Sequence, residues 1–223
     1  MASYRGHLGF GGALGASGAA VISAYAVAKD FDTLVIFFIL TLFGSMLPDV
    51  DSDSSVPFHV IFAPLAFAFG SLVTYETLLR TPDLYYRIAI PIVAFALFWF
   101  IVGGILKNLT HHRGIFHSLP MMTIAGLGTV LLAQHFEFTD FQAVLFGIAI
   151  AVGFLSHLVL DELYALTHHG HHSMLPNKAF GSALKLWAPS TFATVTVYAI
   201  AAVFFLSTSS VLNAAVSVLK TKF

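Results

Sequence analysis

Long apolar runs set apart by short polar clusters make up this chain. Seven runs stand out, at residues 8–28, 31–47, 58–79, 85–106, 119–134, 141–161 and 190–212. A helix that crosses a bilayer needs about 20 mostly apolar residues. Each run therefore predicts one span, and together they predict an all-α, polytopic membrane helix bundle of about seven spans. The first run is rich in Gly and Ala, as tight helix–helix contacts in membranes often are. Gly11 and Gly15 either form such a seam or only fill a weakly hydrophobic span. Pro48 marks a stop for the second run, because the residue before a proline avoids helical backbone. The third contains Glu76, with Arg80 one turn on as an ion-pair partner. His59 and His135 read as interfacial. No cleavable signal peptide is evident, and the start of the chain reads better as a first span.

The polar clusters fall into register with these spans. With seven crossings, the amino end and the connections after the second, fourth and sixth helices share one membrane face. Arg5-Gly6-His7, Pro48-Asp49-Val50-Asp51, the stretch from His112 to Ser118, and the His157/Asp161 pair all lie there. Hydropathy did not impose that coincidence, so it predicts a polar site at one face. Basic residues favour the cytoplasm, but here they divide evenly. Arg5, Lys107, Arg113, Lys178 and Lys185 stand on the cluster face, against Lys29, Arg80, Arg87, Lys220 and Lys222 on the other. The closeness of the first group to helix ends tips the expectation towards a cytoplasmic site.

Composition narrows the class. The chain is 58% hydrophobic and 9% charged, whereas soluble domains are about one quarter charged, so it cannot cover a water-facing surface. Its length suits one membrane-embedded domain, residues 1–223, with a His-rich connection at 162–189. A net charge of -1 offers no basic field, and no nucleic-acid partner is expected. There is no cysteine, which excludes disulfides and thiolate metal sites. Eleven histidines outnumber the ten Lys and Arg, and in so apolar a chain they are the residues that inform.

His157 and Asp161 are four apart, so on a helix they share a face one turn apart. Polar residues inside a membrane helix are costly and mark function by default. The alternative is a His–Asp couple that glues two helices. Asp49 and Asp51, two apart in what reads as extended loop, could both face one ion, or could belong to a solvated acidic loop that caps a helix. His112 and His117 flank Gly114, which permits a turn between them. His112 then sits on a loop and His117 on the next helix, unless the whole stretch is a juxtamembrane polar loop. Ser118 can cap the fifth helix, and Arg113 can hold an anionic group. Imidazole and carboxylate donors without sulfur suit zinc, manganese or iron better than copper(I). The expected cofactor is thus one or two divalent ions, zinc foremost. His168, His169, His171 and His172 form a further run that can bind metal weakly.

The order Gly6-His7, Leu47-Pro48-Asp49-Val50-Asp51, His112-Arg113-Gly114-x-x-His117-Ser118 and Ser156-His157-x-x-x-Asp161 resembles the YdjM-like family. That family is described as LexA-binding, inner-membrane-associated, metal-dependent hydrolases of bacteria and archaea. The resemblance runs from the first residues to about Pro176. It implies a helical protein of the prokaryotic inner membrane with His7, Asp49, Asp51, His117, His157 and Asp161 as metal ligands. His112 would be a further ligand or a general acid, and Arg113 would steady negative charge. The chain departs from the family where Ser52-Asp53 replaces a usual His-Pro pair and where Phe116 replaces a usual Thr.

Two functional classes follow. One is a membrane-bound metal-dependent hydrolase acting on a lipid or lipid-linked ester or phosphoester through a metal-activated water. The other is a metal-ion transporter or metal-binding regulatory membrane protein. A transport path needs polar residues across the whole bilayer, and here they gather at one face, which favours the enzyme.

Overall fold

The computed structural model describes residues 3–25, 27–51, 55–102, 117–167, 181, 184–187 and 190–222. Their regular structure is helical, apart from one isolated bridge between Ser118 and Lys185. Among the described residues seven α-helices appear: α1 (Tyr4–Ala24), α2 (Phe31–Gly44), α3 (Ser55–Arg80), α4 (Leu84–Leu97), α5 (Leu119–His135), α6 (Asp140–Thr167) and α7 (Thr191–Lys222). A 3-10 turn, Leu47–Asp51, follows α2, and a π-helical stretch, Phe98–Val102, continues α4. The all-α membrane bundle expected from the apolar runs is what the chain forms. Four stretches among the described residues are long and apolar enough to cross a membrane: Phe31–Asp49, Leu84–Ile101, Asp140–Leu166 and Thr191–Lys220. Leu119–His135 is a shorter apolar helix. The expected seven spans thus reduce to four or five by this measure. Helix α1 falls outside it because its glycines, its serines and His7 lower its mean hydropathy.

Contacts divide the chain into two compact units, Met1–Pro48 with Ile115–Phe223, and Asp49–Gly114. The second unit is a helical hairpin of α3 and α4. The Asp83 side chain caps α4 by accepting from the Tyr85 amide at 2.8 Å, and Arg87 Nε donates to the Thr81 carbonyl at 2.6 Å. Arg80 pairs with Glu76 at 2.8 Å, as their spacing predicts. Most large apolar side chains along α4 are exposed, as suits a helix whose solvent is hydrocarbon.

In the first unit α6 is central, packed on α1, α2, α5 and α7. Two buried clusters hold it. Val130, Ala133, Ala143, Phe146 and Val211 join α5, α6 and α7, while Phe37, Leu145 and Ala149 join α2 and α6. Helices α2 and α6 run parallel and are pinned at two places. At their starts Gln142 Nε2 donates to Thr33 Oγ1 at 2.9 Å, and at the last residue of α2 Gly44 lies against Ile150, part-way along α6. The Asp30 side chain caps α2 by accepting from the Thr33 amide at 3.2 Å. Hydrogen bonding from the Thr33 side chain is the main cause that holds the Asp30 carboxyl below its ordinary value of 3.8.

Backbones approach closely where side chains are absent. A Cβ on Gly153 would stand 2.0 Å from the Thr41 carbonyl oxygen and 2.8 Å from the Ser45 nitrogen. A Cβ on Gly11 would meet Ser45 Oγ at 2.3 Å. Gly15 faces Phe38 and Thr41 in the same way. Gly11 and Gly15 therefore form a seam that lays α1 antiparallel on α2, and Gly153 seats α6 on the same end of α2.

Several boundaries differ from those the apolar runs suggested. Ser3 caps α1, its hydroxyl accepting from the Gly6 amide, so the helix begins four residues early and takes in His7. Helix α6 continues past Asp161 to Thr167, so the His157/Asp161 pair lies inside the helix instead of at its end. Helix α7 extends through the tail to Lys222. Asp49 and Asp51 lie on a 3-10 turn, not on extended backbone. At three residues per turn, the alternation that would give both one face does not apply.

Gly153→Ala should lower the midpoint of thermal unfolding in detergent by the equivalent of about 1–3 kcal/mol, the usual cost of overpacking. Gly9→Ala, with nothing within 4 Å of the added methyl, should leave it level or raise it. The Asp30 carboxyl supplies a second test. Because its folded pKa is depressed, its contribution is complete above the ordinary value and is lost as pH falls through the folded one. The stability advantage of wild type over Asp30→Asn, measured by thermal melts, should therefore hold at neutral pH and vanish in acid below 3.8.

Candidate metal centre

Helices α1 and α6 and the residue just before the cap of α5 bring polar side chains together in the first unit; His117 thus precedes the fifth helix instead of lying on it. His7 comes from the first turns of α1 and is 2% exposed. His117 directly precedes the cap of α5, where Ser118 Oγ accepts from the Met121 amide at 3.4 Å. His157 and Asp161 come from successive turns of α6. His157 is wholly buried, and His117 and Asp161 nearly so. The seam at Gly11 and Gly153 explains the meeting. His7 lies one turn before Gly11 and His157 one turn after Gly153, and both glycines press on Ser45.

The His7 and His157 rings stack, with centroids 3.7 Å apart and planes 11° from parallel. His117 meets His157 edge-on at 5.4 Å. His7 Nε2 lies 3.3 Å from Asp161 Oδ1, and His157 Nε2 lies 3.8 Å from Asp161 Oδ2. One carboxylate thus stands before two imidazoles. His157 Nδ1 lies 2.8 Å from the Ser45 carbonyl oxygen. A carbonyl only accepts, so Nδ1 carries the proton, and in the neutral ring Nε2 keeps its lone pair. Histidines that bind metals commonly spend their other nitrogen in this way.

The donor set fits a divalent cation. His117, His157 and Asp161 each offer one ligand atom, all within 4.8 Å of one another. The buried Nδ1 of His7 has no hydrogen-bond partner among the described residues. Leaving such an atom unpaired costs about 1–3 kcal/mol. Two or three imidazoles with one carboxylate form a nitrogen–oxygen set of the kind zinc accepts. Of the other residues singled out in the sequence, Asp49 is half-buried on the 3-10 turn after Pro48. His112, Arg113 and the run from His168 to His172 lie outside the described residues, as does the side chain of Asp51. Sequence reasoning missed Ser45, whose carbonyl sets the His157 tautomer. A small polar residue just past the end of α2 was its only signal.

A family model, YdjM inner membrane protein, matches residues 1–221. The chain belongs to that family. No curated protein matches it, and no solved structure does. Membership places this YdjM-family chain among inner membrane proteins, in accord with its apolar helices. The matched region takes in all four residues of the cluster.

In ¹⁵N-histidine spectra of metal-free protein, His157 should show a protonated Nδ1 and a bare Nε2. The opposite tautomer would mean that Ser45 does not accept its hydrogen bond.

Proposed function

We propose that this YdjM-family protein is a membrane-bound, metal-dependent hydrolase of a lipid or lipid-linked ester or phosphoester, with its site on the cytoplasmic side of a prokaryotic inner membrane. The observation that carries the reading is the buried convergence of His7 from α1, His117 from just before α5, and His157 and Asp161 from α6. Drawing this many polar groups out of water is costly; His7 Nδ1 has no hydrogen-bond partner among the described residues, and a divalent cation is one partner that this donor set accepts. Zinc is the first choice and manganese or iron the next. The resemblance adds Asp49 and Asp51 as ligands, His112 as ligand or general acid, and Arg113 as the group that steadies negative charge.

When bound, such a cation supplies a water whose pKa is lowered towards neutrality and a Lewis acid for the scissile group. The protein's own residues prepare the place. Ser45 and His157 fix one ring by a hydrogen bond, so that it needs no reorientation during turnover. Asp161 holds the two neighbouring imidazoles in reach of one carboxylate. The apolar helices around them keep bulk water away, which strengthens every charge interaction inside. A groove of about 220 Å³ between α5, α6 and α7, lined by Met122, Leu127, Val130, Ile148, Ala151 and Leu212, suits a hydrocarbon chain. Its near end, at Met122, lies in the first turn of α5, five residues after His117. That favours lipid over a water-soluble ester.

Elemental analysis of the detergent-purified protein tests the reading. Wild type should hold near-stoichiometric divalent metal. His157→Ala and Asp161→Asn should each lose most of it, and Asp49→Ala should reduce it. Hydrolysis of lipid esters or phosphoesters should fall at least 100-fold in the first two variants and in chelated wild type. Full activity without metal would overturn the proposal. Metal-dependent flux into proteoliposomes without hydrolysis would establish a transporter instead.

A further inference from the structure

Residues 184–187 lie in the long connection between α6 and α7 and are tied at both sides. On one side Lys185 forms a parallel bridge with Ser118, and its carbonyl accepts from the Leu119 amide at 3.0 Å. Ser118 and Leu119 directly follow His117 of the metal centre. On the other side the Tyr198 hydroxyl donates to the Leu186 carbonyl at 3.0 Å. Tyr198 stands about two turns inside α7, one of the helices apolar enough to span a bilayer. The strap therefore lies along the first turns of a membrane helix and reaches across to the start of α5, beside the cluster.

Its own surface is unusual for a loop. Trp187 is 69% exposed, and Leu184 and Leu186 are exposed beside it. Phe192, at the start of α7, is exposed as well. Tryptophan and tyrosine gather at membrane–water boundaries, where an apolar body and a polar tip are both served. Lysine fits the same level, with its stem in apolar surroundings and its ammonium among headgroups. Depth along α6 agrees. Asp161 stands about 32 Å from the start of that helix at 1.5 Å per residue, against a hydrocarbon core of about 30 Å.

We propose that residues 184–187 are an interfacial strap seated in the phosphate-and-glycerol layer of the bilayer. The strap fixes the His7–His117–His157–Asp161 centre at that depth, so a lipid meets the centre sideways, by its headgroup linkage. The substrate class that follows is a bilayer-resident lipid cleaved at its ester or phosphoester linkage, not in its chains and not from water. This last step rests on the hydrolase reading, whereas the depth of the strap does not.

The chain has two tryptophans, Trp99 and Trp187, so Trp99→Phe leaves Trp187 as the only reporter. The protein is reconstituted in phosphatidylcholine vesicles that carry a spin label on the headgroup, or bromine high or low on the acyl chain. Aqueous iodide is the external quencher, and metal content is measured on the same sample. Headgroup and shallow labels should quench Trp187 at least twofold more than deep ones, and iodide should quench it only weakly. Strong iodide quenching with silent lipid labels would put the strap in water and overturn the proposal. Strongest quenching by deep labels would do the same, as would protection from every quencher, which would mean that another protein or a second copy covers the strap. The readout needs neither metal nor turnover. A metal-free, inactive preparation with shallow quenching would fail the hydrolase reading alone, and an active one with an aqueous Trp187 would fail the strap alone.

Discussion

One backbone carbonyl at the end of α2 governs the centre. Ser45 is the residue where α2 stops, so its oxygen has lost the helical donor that residues further back retain. Ser45 is wholly buried, so bulk water does not stand in for such a donor. His157 Nδ1 replaces it at 2.8 Å. That contact satisfies the carbonyl, sets the plane of the ring and leaves Nε2 as the nitrogen able to bind. It also dictates how close two helices must come. Gly153 on α6 and Gly11 on α1 are where they meet Ser45, and a methyl at either would collide with it or with Thr41. Small residues, close backbones, a buried hydrogen bond and a defined tautomer thus form a single line of dependence.

The two ends of the α2–α6 pair answer opposite demands. Around Asp30, Thr33 and Gln142 the polar groups are few and mutually satisfied, and they serve as a clamp. Around Ser45 and His157 the polar groups outnumber what a clamp needs. Three imidazoles and a carboxylate in so small a volume exceed any structural requirement for joining three helices. That concentration of donors sets the second end apart from the first, which sets the register that delivers His157 to Ser45.

Much of this was legible in the sequence, and the reasons differ by residue. The helices announced themselves because hydrocarbon demands long apolar runs, and Ser118 was readable as a cap because its hydroxyl precedes one. The meeting of His7, His117 and His157 was expected from a count of seven crossings, whereas four or five of the described stretches are long and apolar enough; what brings the rings together is the packing of α1 and α6 on Ser45. Helix limits were less legible. Ser3 begins α1 early, and α6 runs on through Glu162 to Thr167 because nothing after Asp161 opposes helix. The turn at Asp49 was misread as extended, since two carboxylates two apart look alike in a strand and in a tight turn. Ser45 was invisible, for it acts through its backbone, which every residue shares. The strap at 184–187 was hidden inside a connection whose histidines drew attention away from Leu184 and Trp187.

The seam along α1 has a consequence for how the protein is made. Gly11 and Gly15 let α1 pack tightly, but they also leave it too weakly hydrophobic to count among the strong spans. Helix α1 precedes α6 in synthesis, and the α6 surface that His7 faces is made about 150 residues later. Until then α2 is the described partner available to it, through Gly11 against Ser45 and Gly15 against Phe38 and Thr41. The centre therefore cannot form during early insertion. Its completion waits on α6, and a chain interrupted before Asp161 carries His7 into the membrane with nothing to bind.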